Sequence, residues 1–147
     1  MIEPADAHIL VIEDNIYNYT LIARLLKFLG VKHIDWSRTG RQMQSLGGSF
    51  PRVDLILLDI HLPYEDGYVT LERLRTDPRF EDTRVVAVTA EATEDNMRRA
   101  RLAGFDGFIA KPINPDRFPD QVGQILAGEG VWDLGMPGAF EGTLAGG

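Results

Sequence analysis

Four short stretches of this chain are apolar with almost no alternation: His8-Ile9-Leu10-Val11-Ile12, Asp54-Leu55-Ile56-Leu57-Leu58, Arg84-Val85-Val86-Ala87-Val88-Thr89 and Gly107-Phe108-Ile109-Ala110. A strand with one face in water alternates apolar and polar side chains, so such runs read as strands buried on both faces. Both faces are buried when a parallel sheet is covered by helices on either side, and the segments between the runs carry helical signals. After the first strand, Ile22, Leu25, Leu26 and Leu29 fall at helical spacing and Gly30 is placed to stop that helix. A short second strand follows near His33–Ser37, and Thr39 can cap a second helix ending around Gly47-Gly48, with Phe50-Pro51 turning into the next strand. Leu62-Pro63 and Asp66-Gly67 mark a loop, residues 67–76 a third helix closed by Asp77-Pro78, and Thr93 caps a fourth to about Ala103. Asn114 and Pro115 read as N-cap and first-turn proline of a fifth helix reaching about Ala127. The expectation is an α/β fold, a doubly wound five-stranded parallel sheet with five helices.

What ends these strands matters as much as what fills them. Glu13-Asp14 follow the first strand, Asp59 the third, Thr89 closes the fourth and Lys111 follows the fifth. Open parallel sheets bind ligands outside the carboxyl ends of their strands, so these side chains are expected to converge. Clustered carboxylates repel one another and either raise each other's pKa or hold a divalent cation. Hard oxygen donors without His or Cys favour Mg2+ over zinc. A cation, a lysine and a hydroxyl around one carboxylate make a cradle for a phosphoryl group, whose equatorial oxygens need that neutralisation.

Composition narrows the function classes. The 147 residues suit one domain, and no apolar run approaches the roughly 18 residues of a membrane span. The first seven residues hold two acids and no basic residue, unlike a signal peptide. With no cysteine there is no disulfide framework and no thiolate chemistry, and a cytoplasmic location is expected. The formal charge of −7 argues against a general nucleic-acid surface, which needs clustered Lys and Arg. Arg98, Arg99 and Arg101 form the one basic cluster, read as a solvated or partner-facing helix surface.

Taken together, Glu13-Asp14-Asn15, Leu58-Asp59, Leu62-Pro63 with Asp66-Gly67, Val88-Thr89-Ala90 and Lys111-Pro112 resemble the receiver domain of two-component response regulators. The resemblance covers about residues 7–127 and implies a flavodoxin-like strand order 2-1-3-4-5. It implies that Asp59 is the phosphoacceptor, attacking the phosphohistidine of a histidine kinase or histidine phosphotransfer protein. Asp14 and Asp59 would ligate Mg2+ directly, Glu13 through a metal-bound water, and the main-chain carbonyl of His61 would add a ligand. Lys111 would pair with the phosphoryl oxygens, and Thr89 would bond another once phosphorylation draws it inward. Phe108 matches the switch aromatic, where many members carry Tyr, and the surface of the fourth helix, fifth strand and fifth helix would carry the output. Lys111-Pro112 matches a bond that is cis in the family. The kinase's helical bundle would dock near Tyr17, Leu21 and Arg24 of the first helix. Such a protein is an acceptor rather than a turnover enzyme and signals through a downstream protein target or a homodimer.

Residues 128–147 read differently, with seven glycines, three acids, no basic residue and two aromatics, Trp132 and Phe140. The expected organisation is a receiver domain over residues 1–127 and a Gly-rich C-terminal tail over 128–147 that packs on the fourth helix or on a partner subunit. Two other readings compete with a stand-alone receiver. A phosphatase-like hydrolase would carry an Asp-x-Asp pair after its first strand, where this chain has Glu13-Asp14. A receiver fragment of a hybrid kinase or a non-phosphorylated interaction module is the alternative; the start at Met1 weighs against the former and the full set of acceptor-site residues against the latter.

Overall fold

The strands His33–Ser37, His8–Ile12, Leu55–Asp59, Arg84–Thr89 and Gly107–Ala110 lie parallel in that order, and a sixth, Val131–Asp133, continues the sheet beyond the last. The computed structural model describes residues 1–42 and 52–135. The strands are β1 (His8–Ile12), β2 (His33–Ser37), β3 (Leu55–Asp59), β6 (Arg84–Thr89), β7 (Gly107–Ala110) and β8 (Val131–Asp133). A separate antiparallel pair, β4 (His61–Leu62) and β5 (Glu65–Asp66), folds the loop after Asp59 into a small hairpin. The helices are α1 (Ile16–Leu29), α3 (Gly67–Thr76), α4 (Glu94–Ala103) and α5 (Phe118–Leu126), with α2 opening at residue 40 and described over 40–42. The expected end of α2 at Gly47-Gly48 and the Phe50-Pro51 turn lie outside the described residues.

Strand burial follows the reading of the runs. All five residues of β3 are buried, and β2, at the sheet's edge, alternates. Side chains of successive residues point to opposite faces and make two cores. Ile9, Val11, Leu55, Leu57, Val86, Val88 and Ile109 pack under α1 and α5. Leu10, Ile12, Ile56, Leu58, Val85, Ala87 and Phe108 pack under α3 and α4.

Local signals place the helices that carry loops to the sheet's carboxyl end. Asn15 caps α1, its side chain accepting from the Tyr17 and Asn18 amides, and Gly30 ends it at φ 112°. Thr93 caps α4, accepting from the Asn96 amide. Helix α5 starts later than the sequence suggests. The Asn114 side chain accepts from the Asp116 amide instead, the chain makes a turn, and the helix begins at Phe118 with Pro119 inside its first turn. Pro115 therefore opens a turn rather than the helix itself.

β8 has no counterpart in the sequence reading, which gave residues beyond 127 no regular structure. Val131 packs into the α1/α5 core and Trp132 against the α3/α4 core. The Trp132 ring lies 4.2 Å from the Arg101 guanidinium of α4. Arg99 likewise covers the Tyr68 ring at 4.0 Å, so two of the three clustered arginines stack on aromatics. Phe140 lies outside the described residues.

Two glycines give opposite expectations. A Cβ on Gly67 would stand 2.5 Å from Ile60 Cα, so Gly67→Ala should lower stability by about 1–3 kcal/mol through a shift of the loop that follows Asp59. In mid-α5 a Cβ on Gly123 would meet nothing nearer than Leu29 Cδ1 at 4.0 Å. Gly123→Ala should therefore raise stability by about 0.5–1 kcal/mol. Urea midpoints at constant slope measure both.

Candidate functional site

At the carboxyl end of the sheet the Lys111 ammonium lies between two acids, 2.5 Å from Glu13 Oε1 and 3.0 Å from Asp59 Oδ2. Each member arrives by its strand. Glu13 is the first residue beyond β1, and its amide donates to the Ser37 carbonyl at the end of β2. Asp59 is the last residue of β3, and its Oδ1 accepts from the His61 amide at 2.9 Å. Lys111 follows β7, and its amide donates to the Thr89 carbonyl at 2.7 Å, tying the ends of β6 and β7 together.

The remaining expected residues take different positions. Thr89 is fully buried, and its hydroxyl accepts from the Glu91 amide at 3.0 Å. The Lys111–Pro112 bond is cis. Asp14 is exposed, and among the described residues its carboxylate makes no hydrogen bond or ion pair. His61 has a half-exposed side chain whose Nε2 lies 3.3 Å from Glu91, bridging the loops that follow β3 and β6. Phe108 is fully buried, so the inward position implied for a switch aromatic is already taken here. On α1, Tyr17 and Arg24 face solvent, whereas Leu21 is half-buried against the α1/α5 core rather than outward.

Two contributors carry no sequence signal. The Trp36 indole donates to the Glu13 carbonyl at 2.7 Å and stacks on Tyr19 with centroids 4.5 Å apart, which pins the main chain just ahead of Asp14. Glu65 accepts from the Gly40 and Arg41 amides at 2.6 and 2.9 Å, joining the hairpin after Asp59 to the start of α2. Both act across strand or loop neighbours that sequence spacing does not reveal.

Burial and charge set the electrostatics. Burial pushes the Glu13 carboxyl above its ordinary range; Lys111 opposes this and the neighbouring Asp59 adds to it. Burial alone would lower the Lys111 pKa, but the hydrogen bond to Glu13 and the charge of Asp59 outweigh it, and the net shift is upward. The site therefore keeps its lysine charged.

For a divalent cation the donor chemistry fits: carboxylate and carbonyl oxygens, with no thiolate nearby. Among the described residues no three His, Cys, Asp or Glu side chains are already gathered around one point. Glu13 and Asp59 are held by the lysine, and Asp14 stands outside at the rim.

Comparison with known proteins agrees with this architecture. The family described as response regulator receiver domain matches residues 9–123. The chain is 32% identical over 123 residues to the signal transduction histidine-protein kinase BarA of Escherichia coli K12, covering 84% of this chain but 13% of that protein. It is 33% identical over 118 residues to the polar-differentiation response regulator DivK of Brucella anthropi, covering 80% of this chain and 94% of that one. A response regulator from Thermotoga maritima superposes with a TM-score of 0.72 at 20% identity, over 82% of this chain and 98% of that one. The Mn(2+)-bound form of response regulator Rcp1 superposes with a TM-score of 0.66 at 26% identity, over 81% and 91%.

The bridge makes a pH-dependent prediction. The three side chains are 13%, 3% and 11% exposed for Lys111, Glu13 and Asp59, so this is a buried bridge rather than a surface one. Lys111→Met should cost about 3 kcal/mol at pH 8, because two carboxylates stay buried without their cation. Glu13, already raised, binds its proton more tightly in the folded state, so the loss should shrink as pH falls through its folded value. In the wild type, the stability from the raised Lys111 pKa is complete below the ordinary lysine value and fades as pH rises through the folded one. Denaturation of both proteins from pH 5 to pH 8 measures the Glu13 part, where a pH-independent difference would contradict it, and denaturation of the wild type at pH above the ordinary lysine value measures the Lys111 part.

Proposed function

The chain belongs to the response regulator receiver domain family, and from that premise we propose that it is a phosphorylatable receiver whose acceptor is Asp59. The observation that carries this reading is the Lys111 bridge to Asp59 and Glu13 at the carboxyl end of a parallel sheet. The donor is the phosphohistidine of a histidine kinase or a histidine phosphotransfer protein. An Asp59 carboxylate oxygen attacks phosphorus, the new P–O bond forms as the P–N bond breaks, and the histidine leaves with the electron pair.

Each residue has a task. Lys111 holds the carboxylate in place before transfer, and its ammonium then pairs with a phosphoryl oxygen. The Thr89 hydroxyl, which accepts from Glu91, still has its own proton to donate to a second oxygen. Asp14, Asp59 and the His61 carbonyl would hold Mg2+, with Glu13 beside them. When bound, Mg2+ neutralises charge on the transferring group. The protein is an acceptor that sheds its own phosphoryl group, not a turnover enzyme, and it signals from the cytoplasm by contact with a downstream protein or by dimerising. The partners proposed here do not include nucleic acid or membrane. Among the described residues no helix is long and apolar enough to cross a membrane.

The match to BarA favours a second reading, in which this receiver acts on behalf of a longer histidine kinase. The DivK match spans nearly the whole of that relative and favours a stand-alone regulator.

With Mg2+ and acetyl phosphate the protein should gain one phosphoryl group by intact mass. Asp59→Asn should gain none, and Asp14→Ala should need at least tenfold more Mg2+ for the same rate. Labelling of Asp59→Asn at the wild-type rate would refute the assignment of the acceptor.

A further inference from the structure

β8 lies beyond the stretch matched to the family, which ends at residue 123, yet the rest of the domain is fitted to it. A Cβ on Gly107 would stand 2.9 Å from the Val131 carbonyl oxygen, so β7 begins with the residue that lets β8 come close. Asp133 accepts from Gln121 at 2.6 Å and pairs with Arg117 at 2.8 Å, both from the α5 region. Trp132 lies under Arg101 of α4. One short strand thus touches α4, β7 and α5 together.

The register sets Trp132 beside Phe108, on the same face of the sheet. Without β8, β7 would be the outer strand and Phe108 would sit at the margin of the α3/α4 core, with solvent on its open side. With β8 present Phe108 is fully buried. Phe108 stands three residues before Lys111 on β7, and α4 follows directly from the Thr89 loop. The ring and the helix held by Trp132 are therefore continuous with the two side chains that meet the phosphoryl group.

We propose that Trp132 is a positioning residue for the phosphoryl site: from β8 it holds Phe108 inward and α4 against β7, so that Thr89 and Lys111 are already arranged to receive the group. This rests on the assignment of Asp59 as acceptor. If docking of β8 favours the loaded site, loading must favour docking of β8 by the same factor. A domain that keeps its competent arrangement populated also escapes the affinity loss that a rarely populated one suffers.

The 147-residue chain tests this with beryllofluoride at saturating Mg2+ as the phosphoryl mimic. Trp132→Ala should weaken beryllofluoride binding by about fivefold or more, within the usual range of such couplings. Trp132→Phe, which keeps an aromatic ring under Arg101, should recover most of it. In the wild type, loading should slow amide exchange at residues 131–133 by a similar factor. A purely structural role would lower the melting temperature of Trp132→Ala but leave its beryllofluoride affinity unchanged, and that result would overturn the proposal. Should Trp132→Ala fail to fold, the wild-type exchange comparison decides alone: no slowing at 131–133 refutes the coupling. If the wild type binds no beryllofluoride, the acceptor assignment itself falls, and this proposal with it.

Discussion

A lysine ammonium wedged between two buried carboxylates is the interaction on which the rest of this structure depends. Glu13 and Asp59 end adjacent parallel strands, β1 and β3, so the fold itself forces two acids to share one edge of the sheet. Left alone, they would repel and one would take up a proton. Lys111 resolves the conflict, and it can do so because β7 runs parallel to the other strands and ends at the same edge. The result is a carboxylate that is largely buried, hydrogen-bonded and next to a fixed cation. Under the function proposed here, such a group would attack phosphorus and have the product's charge met at once.

The supports around that bridge come from several elements. Trp36 on β2 fixes the Glu13 carbonyl, the His61 amide orients Asp59, and the Lys111 amide joins the end of β7 to β6. Glu65 ties the loop after Asp59 to α2, and His61 reaches Glu91 across the opening. On the far side, β8 closes the flank of β7 and keeps Phe108 out of water. The site is thus tied at the sheet by hydrogen bonds and open at the rim, where Asp14 stands exposed.

Much of this was legible in the sequence because buried parallel strands announce themselves as unbroken apolar runs, and the polar residue that ends each run has to lie at the sheet's edge. That logic located Glu13, Asp59, Thr89 and Lys111 without any coordinates. It did not find β8. Three residues, Val131-Trp132-Asp133, are too few for a period to show, and the glycines around them pull composition towards a tail. The start of α5 was missed for a different reason: Asn114 does cap, but it caps a turn, and the helix waits for Phe118. The Trp36 contact depends on which strand neighbours which, information that no local spacing contains. The burial of Phe108 was legible in its apolar run, but its neighbour Trp132 was hidden with β8.

In the function proposed here, Lys111 moves its bond from Glu13 to a phosphoryl oxygen without leaving Asp59's side. A crystal structure of the protein with Mg2+ and beryllofluoride tests that most directly. The account predicts the beryllium bonded to an Asp59 carboxylate oxygen, with Lys111 Nζ within hydrogen-bond distance of a fluoride and no longer bridging to Glu13. Beryllofluoride on a different carboxylate, or Lys111 still locked between Glu13 and Asp59 with the mimic bound, would contradict it.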